Sequence, residues 1–313
     1  SGLTAFVSPD GYRWRKLREE PIVRDGAFDS QNVGFWSEHE KCYVCYFRTW
    51  TKGGFNGFRT VSRATSNDFL TWSKPEPMNF GGTPSEHLYT NQTTPHPGAP
   101  HLYVALPMRF MPGRKVLTPD QAKSLGVDPG YAGDCAECVF MTCRGGSSYE
   151  RTFMEGFIRP GSDPGNWASR AGMTACGIAV TGPAEFSIYK QAHYAQPSAH
   201  LIRYTLRRDG FASVNAPYAG GEMTTRPLVH GGKRLVLNVS TSAAGSVRVE
   251  VADAAGHPFE GRTIADCDEI VGDMTERPVT WKGSGDLSAC AGKAIRLRFV
   301  MKDADLYALK FEA

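Results

Sequence analysis

Apolar and β-branched residues fall in short runs along this chain, and the three-to-four spacing of an amphipathic helix is nearly absent. Stretches such as Lys41–Phe47, Phe58–Ala64 and Leu201–Leu206 read as strands, each bounded by clusters of Gly, Pro, Asn and Asp. Helix is expected at one place, Thr118–Leu125, where Thr118 is a capping residue and Pro119 takes the first helical position. Beyond Gly220-Gly221 the pattern becomes strict alternation. Arg234–Val239, Ser246–Val251 and Ile295–Val300 alternate with period two, and Ala304–Phe311 reads as a last strand. That pattern predicts a β-sandwich over residues 222–313.

A weak repeat organises residues 1–221. Ser8-Pro-Asp-Gly-Tyr-Arg-Trp14 is matched by Ser66-Asn-Asp-Phe-Leu-Thr-Trp72, and degenerate copies begin at Cys143 and Arg207. The physics is that of a hairpin turn: Asp accepts from nearby backbone, Gly supplies positive φ, and the aromatic ring packs back on the sheet. One such turn per four-stranded sheet is the mark of a propeller. Strands opening on polar groups precede the turns: Asp29–Trp36, Glu86–Gln92, Asp134–Met141 and Arg170–Ile178. In a propeller they would line the axis. The count gives about three full blades after the outer hairpin of another, whereas a closed ring needs at least four. The fold class expected is therefore all-β, a partial propeller followed by a sandwich. A segment preceding residue 1, or a second chain, is expected to complete the ring.

Composition narrows the function. The chain has 313 residues, a net charge of +3, 41% hydrophobic and 21% charged residues, values ordinary for a globular protein. Lys and Arg are scattered, which speaks against a nucleic-acid surface, and no stretch suits a membrane. The first residues carry no charged-then-apolar leader. Two C-x-x-C pairs, Cys42/Cys45 and Cys135/Cys138, sit inside strand-like runs, where residues i and i+3 face opposite ways. They read as small core residues, and neither a metal nor a cofactor is expected. Cys267 and Cys290 are left open as a disulfide or two free thiols. No phosphate loop or dinucleotide fingerprint is present, and no Ser-His-Asp arrangement stands out.

These turns, polar strands and the appended sandwich, with the run Phe153-Met-Glu-Gly-Phe-Ile-Arg-Pro-Gly161 and Asn166-Trp167 after it, resemble the five-bladed propellers of glycoside hydrolase families 32 and 43. The likeness is strongest to uncharacterised bacterial family-32-like proteins; the sialidase superfamily is more distant. The resemblance implies carboxylates on axis-facing strands of different blades. Glu137-Cys138 is similar to the Glu-Cys segment carrying the acid in family 32, while the first-blade Asp of these families has no counterpart here. The function implied is hydrolysis of a poly- or oligosaccharide, in an extracellular or periplasmic setting. The alternative is a carbohydrate-binding propeller without catalysis.

Two-carboxylate hydrolysis places the groups about 5 Å apart for retention and roughly 6.5 to 9.5 Å for inversion. Glu137, inside an apolar strand, and Glu155, between aromatics, are the first choices for acid and base, with Asp29 as third carboxylate. His87, Tyr89 and Asn91 share one face of a strand if it stays regular, and could bond sugar hydroxyls. Trp167, His193 and Tyr194 offer flat rings or polar tips to a pyranose. Arg48 and Arg159 could hold an acidic group through their forked donors.

Overall fold

A computed structural model describes residues 2–313. The chain forms two compact units. One runs up to Ala179 and takes in Ser187–Tyr204; the other comprises Val180–Phe186 and Thr205–Ala313.

The first unit opens on a hairpin of β1 (Phe6–Val7) and β2 (Arg15–Lys16), closed by the first Asp turn. Asp10 Oδ1 accepts from the backbone N–H of Tyr12 and Arg13, Ser8 donates to Asp10, and Trp14 Nε1 donates to the Gly11 carbonyl at 3.0 Å. The second copy repeats this bond for bond. Asp68 accepts from Leu70 and Thr71, and Trp72 Nε1 donates to the Phe69 carbonyl at 2.8 Å. Phe69 sits at φ 66° where the first copy has Gly11 at φ 78°, so the repeat tolerates a side chain at its left-handed position. The N–H groups aimed at Asp68 hold its carboxyl down at about 2. The copies at Cys143 and Arg207 depart from this geometry. The former is a turn through Gly145 and Gly146, and the latter puts Asp209 itself at positive φ.

The second turn joins the last two strands of a four-stranded antiparallel meander of β3 (Val33–Ser37), β4 (Cys42–Trp50), β5 (Arg59–Ser66) and β6 (Glu76–Pro77). The next four chain segments bend, and their halves fall in two separate hydrogen-bonded sheets, one of four strands and one of three. β7 (His87–Leu88) and β8 (Thr94–His96) are parts of the first; β9 (Ala99–Ala105) and β10 (Met108–Met111) of the second. β11 (Cys135–Val139) and β12 (Met141–Cys143) make the third, and β13 (Gly156–Ile158) ends the fourth. The register continues across the bends: Met108 faces Cys138 and Ala105 faces Met141. Leu106 and Pro107 interrupt the second strand, consistent with the missing proline N–H. Inserted between β10 and β11 is the expected helix, α1 (Pro119–Ser124), with a capping box between Thr118 and Gln121.

A further sheet orders β14 (Ala179–Gly182), β15 (Glu185–Ala192) and β16 (His200–Arg207) consecutively. The first unit's main apolar cluster joins Val44, Tyr46 and Val61 to Leu88, Tyr103, Val139 and Met141, thus packing the two meanders on each other. Cys45, Cys135 and Cys138 are buried without a metal-like grouping among the described residues.

In the second unit β17 (Val214–Ala216), β18 (Gly221–Thr224) and β19 (Leu228–Val229) pair with β22 (Ala294–Glu312), which pairs along its length with β20 (Arg234–Asp253). β21 (Asp273–Pro278) covers the far edge of β20. The sandwich expected as two sheets is, in its hydrogen-bond ladder, one six-stranded sheet. Register shifts between Thr241 and Ser246 break the two long strands, and the residues on both sides of the break share one core. Leu235, Leu237 and Val239 meet Val247, Val249 and Val251, with Leu297 and Phe299 opposite. Val214–Ala216 already belongs to this sheet, so the unit begins ahead of residue 222. Cys267 and Cys290 are buried free thiols in this core.

Candidate functional site

Side chains from distant parts of the first unit meet around Tyr89. The Arg48 guanidinium lies 4.6 Å from the Tyr89 ring centre, Arg170 5.1 Å and Arg59 5.5 Å. Arg59 also lies 4.5 Å from the Trp50 ring and 5.0 Å from Phe110; Arg170 lies 4.7 Å from Tyr131. Tyr131 meets Tyr194 edge-on at 5.5 Å. Local pairing explains part of this. Trp50 and Arg59 are opposite residues of the β4–β5 ladder, so the guanidinium stacks on its cross-strand neighbour. Tyr89 follows the short β7, and the Ser30 hydroxyl reaches its carbonyl.

The charge around this ring is unbalanced. Arg48 pairs with Asp29 through one nitrogen and is itself only 5% exposed. Among the described residues no carboxylate lies within ion-pair distance of Arg59 or Arg170; Arg170 donates to the Ser169 hydroxyl at 3.2 Å. The Nε atoms of all three arginines, and Nη1 of Arg48, are buried with no hydrogen-bond partner. Burial, and then the positive charge of Arg48, draws Arg59 below the ordinary guanidinium range, with Arg170 adding to it.

A second polar network holds Glu137. Arg109, its direct neighbour across the β10–β11 ladder, donates to Glu137 Oε1 from Nε at 3.0 Å and again from Nη2. Arg109 Nη1 also reaches Glu86 at 2.9 Å and the Met154 carbonyl at 2.7 Å. Glu86 in turn holds Arg151, whose side chain is 1% exposed, at 2.7 Å. A methyl group on Gly156 would fall 2.1 Å from Glu137 Oε2, so glycine there is what lets the carboxylate lie against β13. Glu86 lines a groove of 380 Å³ with Phe58, His87, Phe110 and Arg114, and a neighbouring one of 270 Å³ with Trp50 and Arg151.

The three expected carboxylates thus have different surroundings. Glu137 is in the Arg109 network, Asp29 is on Arg48, and Glu155 is exposed with no polar partner. Tyr89, Arg48 and Tyr194 do come together. His87 accepts the Arg59 backbone N–H at 3.1 Å and packs on Phe58; burial, then Arg59, lowers its pKa. Asn91 is buried, and its side chain closes a turn by accepting from Thr93 N–H. The strand ends at Leu88; His87 and Tyr89 both meet the Arg59 guanidinium, while the Asn91 side chain turns to the backbone and does not join them. Arg159 is exposed, and Trp167 is tied to the Gly161 carbonyl.

His193 lies elsewhere, in a line the sequence did not reveal. Its Nε2 is 2.7 Å from Asp163 and its Nδ1 2.8 Å from the Ser198 hydroxyl. A Cβ on Gly165 would meet the ring at 2.7 Å. Asp163 caps the short turn at Pro164–Trp167, and the Ala199 N–H is taken by Gln196. The line fastens two loops.

Sequence reasoning gave no role to Arg59, Tyr131 or Arg109, and it met Glu86 and Arg170 only as the polar openings of strands expected to line the axis.

No protein-family model and no curated protein matches the chain. Among solved structures it is similar to a glycoside hydrolase family 43 arabinoxylan arabinofuranohydrolase from Bacillus subtilis, in complex with cellotetraose. The two are 12% identical over 99% of this chain and 74% of that one, with a TM-score of 0.40. It is also similar to a family 32 β-fructofuranosidase from Bombyx mori, at 8% identity over 98% and 72% of the two chains and a TM-score of 0.38. A third is an N-acetylgalactosamine deacetylase from F. plautii in complex with blood group B trisaccharide: 9% identity, 90% of this chain, 52% of that one, TM-score 0.35. At these scores and identities the overlaps carry no argument of their own, and the function is argued from this chain's side chains.

Proposed function

We propose that the first unit is a carbohydrate-binding body, its meander sheets being consecutive blades of a five-bladed-type propeller, and that sugar binds across the cluster around Tyr89. The convergence of Arg48, Arg59 and Arg170 on Tyr89, with Trp50 and Tyr131 beside them, carries this reading. Aromatic faces suit the apolar faces of pyranose rings, and guanidinium forks donate paired hydrogen bonds to vicinal oxygens. Binding is favoured over hydrolysis because Asp29 and Glu137 are engaged by different arginines. Titrating the protein with a panel of oligosaccharides tests it. At least one is expected to bind, and Tyr89→Ala to weaken it by about tenfold, the worth of one lost ring contact. If no sugar in the panel binds, or Tyr89→Ala binds as well as the parent, the reading fails.

Hydrolysis is the second reading, favoured by one observation. Glu86, just ahead of β7, and Glu137, in β11, come onto a single guanidinium, Arg109, and Glu86 lines the 380 Å³ groove. Release of reducing sugar that disappears in both Glu86→Gln and Glu137→Gln, with binding retained, would establish it.

A further inference from the structure

Cationic side chains are rarely assembled around one ring without anions to balance them. A charge taken from water needs a partner and filled hydrogen bonds, or it is costly. In the second polar network of the same unit that rule is kept: Arg109 and Arg151 are matched by Glu137 and Glu86. Around Tyr89 it is broken. Among the described residues, Arg48, Arg59 and Arg170 have only Asp29 within ion-pair distance, with Asp134 acting on Arg59 from farther away, and Asp29 is 67% exposed at its side chain. Arg48, by contrast, is almost wholly buried, with two nitrogens unbonded.

We infer that the sugar taken by this site is an acidic one, with the carboxylate of a uronic acid or a sulfate ester seated among Arg48, Arg59 and Arg170. The inference rests on the carbohydrate-binding reading and adds the substrate class to it. The chemistry follows from the parts. An anion placed there supplies the missing countercharge, and planar guanidinium forks match the oxygens of a carboxylate or sulfate. The rings of Tyr89, Trp50 and Tyr131 are held by the arginines stacked on them and are only partly buried, so their edges are within reach of the rest of the sugar. Placed in this way, the anion also reduces the mutual repulsion that adds to burial in drawing Arg59 below its ordinary range. Carboxylate and sulfate share this chemistry.

Calorimetric titration of the wild-type chain decides the matter, with three probes: an oligogalacturonate, its neutral galactose counterpart and a sulfated galactose oligosaccharide. At low salt, at least one acidic probe is expected to bind about tenfold or more tightly than the neutral one, and the margin to shrink as salt rises. Whichever acidic probe binds tighter names the anion. Arg59→Gln should weaken the acidic probe more than the neutral one and so erase most of the margin. Equal affinity for neutral and acidic sugars overturns the inference but leaves carbohydrate binding intact, whereas silence from all three probes sinks both. Inorganic sulfate is the control: if it binds as tightly as the acidic sugar, the site is a bare anion hole and the inference fails. The salt dependence is read on the unaltered protein, so a misfolded Arg59→Gln leaves the test standing.

Discussion

The two units fill their interiors in opposite ways. The second presents alternating apolar side chains from two long strands to one continuous core, with Trp281 at 1% exposure as its largest member. The first buries arginine, lysine, asparagine and glutamine among its apolar residues. Arg48, Arg63, Arg151, Lys190, Asn91 and Gln92 are all under 9% exposed. A core of the first kind is stabilising by area alone. A core of the second kind is stabilising only where each charge finds its partner, and it keeps polar groups in reach of a ligand where one does not. The contrast is what the proposed binding site in the first unit rests on.

The largest effect expected on the second unit is from Trp281→Ala. It deletes a fully buried indole whose Nε1 donates to the Val249 carbonyl at 2.8 Å, a loss of about 3–5 kcal/mol. Denaturant unfolding followed by fluorescence and circular dichroism should show it; a loss below about 1 kcal/mol would mean that the core does not depend on its largest member. The opposite sign is expected at Lys190 in the first unit. Its ammonium nitrogen is buried without a partner, and burial pulls its pKa below the lysine range. Lys190→Met should therefore stabilise by about 1–4 kcal/mol. A destabilised methionine variant would show that the polar interior is matched there after all.

The smallest effect is one of pH. Burial alone would raise the Glu40 carboxyl, but the Gly146 N–H, Arg63 and Tyr103 outweigh it, and the net shift is downward. A carboxyl lowered in the folded state stabilises fully above its unfolded value and loses that contribution as pH falls through the folded one. Melting temperature should thus decline on acidification below the ordinary 4.5, and Glu40→Gln should flatten the decline. An unchanged slope would place the acid sensitivity elsewhere.

Legibility in the sequence followed the range of the interactions. The Asp turns at Ser8 and Ser66 were readable to the level of single hydrogen bonds, because donor and acceptor lie within a few residues. So was Thr118 as the N-cap of α1, though not its reciprocal bond with Gln121. The alternation after residue 233 was readable as strands, but not the pairing that joins β20 and β22 end to end in one sheet. Tyr89, Arg48 and Tyr194 were named from residue type alone, and their meeting in one place was not foreseeable. For Asn91 the bend after Leu88 replaced a strand face by a buried turn.

What the chain's own order of residues determined was its β class, its turns and which positions are apolar, since period-two alternation and short-range hydrogen bonds need no distant partner. Only the tertiary structure decided who neutralises whom. Arg109 faces Glu137 through strand register, whereas Arg48, Arg59 and Arg170 share a ring and leave their charge open. Partners in a charge network are chosen by distance in space, and distance along the chain does not encode that.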